Sequence, residues 1–207
     1  MAMHGRQELV RKNLLMQPKE CNLIVVASDD NDVKFLERLA LDNLHIVIHP
    51  NEPLGAKWQA GVDAAKKFDC EPLIILGSDD FLSDSFTDGA CELMRAGVDF
   101  AYFTKWKIFD EVTQKTYALQ YKIHFPLGSG RCFSRRFLER HDWRLFDTSI
   151  NVKLDDYAFD NLKVDDAVIV NPNGMHLMSV KGKHTTMNPL DKILQSPNIE
   201  WEEVCAG

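Results

Sequence analysis

The chain has 207 residues, 45% of them hydrophobic and 27% charged, with a formal net charge of −7. That is the composition of a globular protein of one ordinary domain, and it excludes disordered and fibrous classes. An acidic chain lacks the basic face that covering long duplex DNA requires, although one local basic groove is compatible with it. No stretch of about eighteen apolar residues is present, so no membrane span is expected.

The first residues, from Met1 through Val10, carry no apolar core followed by a small-residue cleavage site, so they do not read as a signal peptide. The five cysteines, Cys21, Cys70, Cys91, Cys132 and Cys205, are scattered and never spaced as C-x-x-C. A zinc ribbon or a dense disulfide framework is thereby excluded, and buried thiols in a reducing cytoplasm are expected.

In chain order, Gln7 to Met16 places Leu9, Val10, Leu14 and Leu15 amid charge and predicts an amphipathic helix, ended by Pro18. Asn22 to Ala27 is a short apolar run that predicts a strand buried on both faces. Ser28 to Asp32 is a turn and helix cap, and Val33 to Leu44 predicts the helix that follows. His45 to His49 predicts a second strand, stopped by Pro50. Ala56 to Phe68 predicts a helix with Trp58, Val62 and Ala65 on one side. Leu73 to Leu76 predicts a third strand that runs into Gly77-Ser78-Asp79-Asp80.

The alternation of strand and helix predicts a mostly parallel sheet flanked by helices, with ligands outside the carboxyl ends of the strands. The second half is less regular. Strand-like segments are expected at Val98 to Lys107, Thr116 to Phe125 and Ala167 to Val170. Helices are expected at Ser134 to Arg140 and from Leu154 through Leu162. No linker divides the chain, so one domain is expected, with halves of about 1–95 and 96–207.

Asp79 and Asp80 directly follow a buried strand. Two carboxylates held that close repel unless a cation lies between them, and their hard oxygens suit Mg²⁺ or Mn²⁺. Capping of a following helix is the structural alternative. Phe100, Tyr102, Phe103 and Trp106 have strand-like alternation, which reads as core packing ahead of a sugar-stacking wall.

The ordered set of motifs, from Asn51-Glu52-Pro53-Leu54-Gly55-Ala56-Lys57 through Gly77-Ser78-Asp79-Asp80 and Gly128-Ser129-Gly130-Arg131 to Leu154-Asp155-Asp156, resembles family 2-like glycosyltransferases of the GT-A fold. The likeness is to small phage and bacterial members and covers roughly residues 5 to 190.

The resemblance implies a single-domain α/β glycosyltransferase that moves a sugar from a nucleotide-diphosphate donor, a UDP-sugar first among them, to an acceptor hydroxyl. The acceptor is left open between a glycan, another hydroxyl and a hydroxymethylated base of phage DNA. Location in the cytoplasm, or in the host cytoplasm for a phage protein, is expected.

The same resemblance assigns roles. Asp156 or Asp155 would act as catalytic base. Ser28, Asp29, Lys57, Ser78 and Asp79 would bind the donor. Gly130 and Arg131 would lie on the acceptor side, with Arg135 and Arg136 as further candidates. Asp79, Asp80 and His184 would hold Mn²⁺ or Mg²⁺, with His176 as the other carboxyl-terminal histidine candidate.

The chain departs from that pattern twice: Gly77 stands where the first acid of D-x-D belongs, and the fold's first strand is expected to be missing. Those departures favour one competing reading, a non-catalytic module that kept the fold. A sugar-phosphate nucleotidyltransferase, the other, needs a Gly-rich basic loop after the first strand, and no such loop is present.

Overall fold

The computed structural model describes residues 1–69, 71–122, 128–154, 157, 167–169, 176–182 and 189–204. Helix α1 (Gln7–Met16) buries Val10, Asn13 and Leu14 on one face. It leads to β1 (Leu23–Ala27) and then α2 (Asp30–Glu37). Asp29 caps α2, its carboxylate accepting the backbone N–H groups of Asn31 and Asp32. The helix stops well before Leu44 because Ala40 takes a left-handed conformation at φ 49°.

β2 (Leu44–Ile48), α3 (Leu54–Ala65) and β3 (Leu73–Ile75) follow, then a short β4 (Asp80–Leu82) and α4 (Phe86–Arg95). The second half contains β5 (Phe100–Tyr102), β6 (Lys105–Asp110), β7 (Lys115–Tyr121), β8 (Arg131–Phe133) and α5 (Arg135–Arg140). β9 (Ala167–Ile169), β10 (Leu177–Lys181), α6 (Leu190–Leu194) and β11 (Ile199–Val204) complete the described elements.

The strands form three hydrogen-bonded groups: β1-β2, β3-β8-β5-β9 and β11-β7-β6-β10-β4. This corrects the expectation of a mostly parallel sheet. β1 with β2, β5 with β9 and β6 with β10 are parallel. The other pairings are antiparallel. The physical reasons are local. β6 and β7 are joined by a tight turn, which forces an antiparallel ladder, and β8 enters between β3 and β5 against both.

The first three residues run beside β1. Ala2 bridges Val26 in parallel, the Met3 N–H donates to the Val26 carbonyl at 2.9 Å, and Met3 is fully buried. Residues 1–3 therefore run as a short stub along the outer edge of β1.

The core has three parts. Met3, Val10, Val25 and Leu36 pack where α1 and α2 cover β1. Val62, Phe100, Phe133 and Phe137 join α3 and α5 to the four-stranded sheet. Phe86, Phe103, Ile108 and Leu177 join α4 to the five-stranded sheet. The buried positions of Phe100, Tyr102 and Phe103 bear out core packing. Trp106 is also buried but reaches the wall of the cleft described next.

Candidate active site

A cleft of about 1060 Å³ opens where the stub and the turn into α1 meet the β3–β4 turn and β10. Its floor is Gly77-Ser78-Asp79-Asp80. β3 ends at Ile75, Leu76 is buried, and the chain turns sharply, with the Asp80 N–H donating to the Gly77 carbonyl at 3.3 Å. The Ser129 hydroxyl accepts the Gly77 N–H at 2.9 Å and ties the turn to the loop before β8.

The two acids take different environments. Asp80 is turned inward and accepts the Ser179 hydroxyl, while the Asn13 amide donates to its main-chain carbonyl. Burial, and then the neighbouring Asp79 charge, push the Asp80 carboxyl above its ordinary range; Lys181 and the Ser179 and Ser129 hydroxyls oppose that shift.

Asp79 faces the cleft. Its Oδ2 receives Arg6 Nη1 at 3.0 Å and Lys181 Nζ at 2.9 Å. A cation thus arrives from each end of the chain, one from the turn before α1 and one from the end of β10. Sequence reasoning missed both partners. Arg6 lies in the turn before α1, and nothing local in the sequence pairs it with residue 79.

Asp79 offers one cleft-facing carboxylate, a hard oxygen donor of the kind that Mg²⁺ takes among several ligands, and its Oδ2 is already paired with Arg6 and Lys181. Asp80 stands behind Asp79. Among the described residues, the group of three whose ligand atoms lie within 4.8 Å of one another is His4, Asp29 and Asp32. There the Asp29 carboxylate is engaged by the cap of α2, and Asp32 accepts the Gly5 N–H at 3.1 Å. Asp32 thereby fastens the turn between the stub and α1 to α2.

Ser78 lines the cleft beside Asp79. Ser28 follows β1, and its buried hydroxyl oxygen has no hydrogen-bond partner among the described residues. Lys57 lines the same cleft, but its ammonium is already engaged. Its ammonium donates to the Met3 carbonyl and, at 3.0 Å, to Asn51 Oδ1, and the side chain is 1% exposed. Burial lowers its pKa to about 8, against the opposing charges of Asp32 and Asp29.

The start of α3 is occupied too. The Leu54 N–H goes to Asn151 Oδ1 at 2.7 Å and the Gly55 N–H to the Ile150 carbonyl at 3.0 Å. Those N–H groups thus already have partners, and Lys57 pins the stub in place.

Arg131 lies in β8 opposite Ile75 and is 1% exposed, so its side chain is enclosed by the protein. Gly130 has φ +79°, donates to the Ile75 carbonyl at 2.7 Å and lies close under Phe103, so it makes the sharp entry into β8. Gly128 and Ser129 are the members of that motif that reach the cleft.

Arg135 pairs with Glu139 and Asp69 and Arg136 with Asp99, so both serve α5. His176 is exposed, its main-chain N–H bonded to Ser83. Asp155, Asp156 and His184 lie outside the described residues.

No protein-family model matches the chain, and no curated protein matches it in sequence. Among solved structures, residues 1–349 of Staphylococcus aureus TarS superpose with a TM-score of 0.62 at 14% identity, over 86% of this chain and 58% of that one. A longer TarS structure gives 0.60 at 14% identity, over 86% of this chain and 35% of that one. The chain therefore spans less than two thirds of the length of either. At that identity the likeness shows a shared α/β fold, which is also the fold type that the motifs imply.

Proposed function

We propose that this chain transfers a glycosyl group from a nucleotide-diphosphate donor to an acceptor hydroxyl. The observation that carries the reading is the convergence of Arg6 and Lys181 on Asp79 in a large cleft at the carboxyl end of β3. A diphosphate entering there meets two cations already held in place, and charge-assisted hydrogen bonds to its oxygens are strong. The fold shared with TarS, a glycosyltransferase, supports the same class.

The donor we propose first is a UDP-sugar. Arg6 and Lys181 donate to its diphosphate and stabilise the charge that grows there as the bond from the anomeric carbon to the phosphate oxygen breaks. Mn²⁺ or Mg²⁺ bound at Asp79, with His184 as a further ligand, would supply additional neutralisation of that leaving group. The acceptor oxygen forms the new bond to the anomeric carbon, and its proton passes to the carboxylate of Asp156 or Asp155. A single displacement of this kind inverts the anomeric centre. The acceptor is a glycan or another hydroxyl, the hydroxymethylated base of phage DNA among them.

Calorimetric titration with UDP in Mn²⁺ and in EDTA tests the reading. Binding that is tighter in Mn²⁺, and that loses this difference in Asp79→Asn, is expected. Absence of binding by any nucleoside diphosphate under either condition overturns it.

A further inference from the structure

β2 is paired with β1 along one edge, and among the described residues no strand lies along its other edge. The ladder to β1 fixes which main-chain groups point outward. The Leu23 N–H donates to the Asn43 carbonyl at 2.8 Å, and the His49 N–H donates to the Ala27 carbonyl at 3.0 Å. In a parallel ladder that register turns the groups of His45 and Val47 toward β1 as well. The N–H and carbonyl groups of Ile46 and Ile48 therefore point away from β1, as does the Leu44 carbonyl. The Leu44 N–H is taken by the Leu41 carbonyl at 3.1 Å.

The side chains leave this edge unguarded. Open strand edges are commonly blunted by charge or by proline. β11 is guarded in that way: it too is an edge strand, and it carries Glu200, Glu202 and Glu203. A second β11 laid against it would bring like charges together. Leu44-His45-Ile46-Val47-Ile48 holds no Asp, Glu, Lys, Arg or Pro. None of the five is fully buried, although α2 and α3 both pack on the strand, and Ile48 is 70% exposed.

We infer that the outer edge of β2 is an interface for a second copy of this chain, the two β2 strands pairing antiparallel about a two-fold axis at Ile46. The outward groups fit that axis. Opposed residues of an antiparallel hydrogen-bonded pair exchange both of their N–H···O bonds, and Ile46, with both groups directed outward, makes that exchange with its own copy. The same register brings the Ile48 N–H of each copy to the Leu44 carbonyl of the other. It sets Ile48 beside Leu44 and His45 beside Val47, which covers the exposed Ile48. No like charges are opposed: Asp42, the first carboxylate before the strand, falls opposite Pro50. The paired edges form one ribbon in the order β1, β2, β2, β1. The inference does not depend on the transfer reaction.

Sedimentation velocity of the full chain, from about 1 to about 100 µM, tests it against two variants. Ile46→Pro removes an N–H that points away from β1, a place where an edge strand tolerates proline. Ile48→Glu puts a charge on an exposed side chain and sets it diagonal to Asp42 of the second copy. The parent should pass from monomer to dimer across that range. Both variants should stay monomeric at about 100 µM and melt within about 2 °C of the parent when all are compared at about 1 µM. If the proline variant does not fold, Ile48→Glu decides alone. A parent that is monomeric throughout overturns the inference, as does a dimer that either folded variant retains at the affinity of the parent.

Discussion

Asp79 and Lys181 stand 102 residues apart in sequence and meet at 2.9 Å, each side chain 13% exposed. The contact joins the β3–β4 turn to the end of β10, and Arg6 reaches the same carboxylate oxygen at 3.0 Å. Water screens such a pair little, so the charges are available to a ligand that can displace one of them.

If those cations receive the diphosphate, Lys181→Met should weaken UDP binding about tenfold, which is about 1.4 kcal/mol. Arg6→Met should do the same, and each should reduce the dependence of affinity on salt. Calorimetry at two ionic strengths checks this. Unchanged affinity in both variants would move the diphosphate away from Asp79.

Gly77 has a structural reason to be glycine where the resemblance expects an acid. A Cβ at residue 77 would lie 2.2 Å from Asp80 Oδ2 and 3.5 Å from Asp79 Oδ1. The Asp80 carboxylate thus fills the space that an acid at 77 would need. Gly77→Ala should cost about 1–3 kcal/mol through overpacking and displacement of Asp80. Gly77→Asp, which restores the D-x-D spelling, should be worse than Gly77→Ala in chemical denaturation. A Gly77→Asp protein as stable as the parent would show that Asp80 moves freely.

Much of the first half was legible. The amphipathic spacing placed α1 at Gln7–Met16, and the apolar runs placed β1, β2 and β3 to within about two residues, the usual uncertainty of an element end. The helix α4 was legible but passed over: Phe86, Ala90 and Met94 are buried at a spacing of four, while Gly89 breaks the look of a helix.

What sequence could not give is long range. No local pattern tells that β10 lies between β4 and β6, and the Asp79–Lys181 pair depends on that placement. The burial of Lys57 and Arg131 was illegible for a different reason. Charged side chains are almost never fully buried, yet both are here, and only their neighbours in three dimensions reveal it.

Arg131 accordingly yields a prediction opposite in sign to that for a surface arginine. Removing a fully buried guanidinium leaves a cavity and strands the groups that balance it. Arg131→Ala should cost about 3 kcal/mol or more and lower the melting temperature by several degrees. A variant that melts with the parent would mean that the arginine can be lost from the sheet without penalty.

Asp99 governs the acid behaviour of α5. Its Oδ1 accepts Arg136 Nε at 2.8 Å and the Ser134 hydroxyl at 2.9 Å, and its Oδ2 accepts Arg140 Nη2 at 2.5 Å. Ser134 in turn caps α5 by accepting the Phe137 N–H at 3.0 Å. Burial alone would raise the Asp99 pKa, but the hydrogen bonds from Arg136, Ser134 and Arg140 outweigh it and hold the carboxyl below its usual 3.8. A carboxyl whose pKa is depressed on folding contributes stability above its unfolded pKa. That contribution disappears as pH falls through the lower, folded value. Asp99→Asn should therefore destabilise the protein by about 1–3 kcal/mol at pH 7, the size of lost charge-assisted hydrogen bonds. The difference from the parent should shrink as the pH falls below about 4. Urea denaturation of both proteins at pH 7 and at pH 3 reads the effect directly. A gap that stays constant between the two, or widens in acid, would assign the stability to the shape of the side chain and not to its charge.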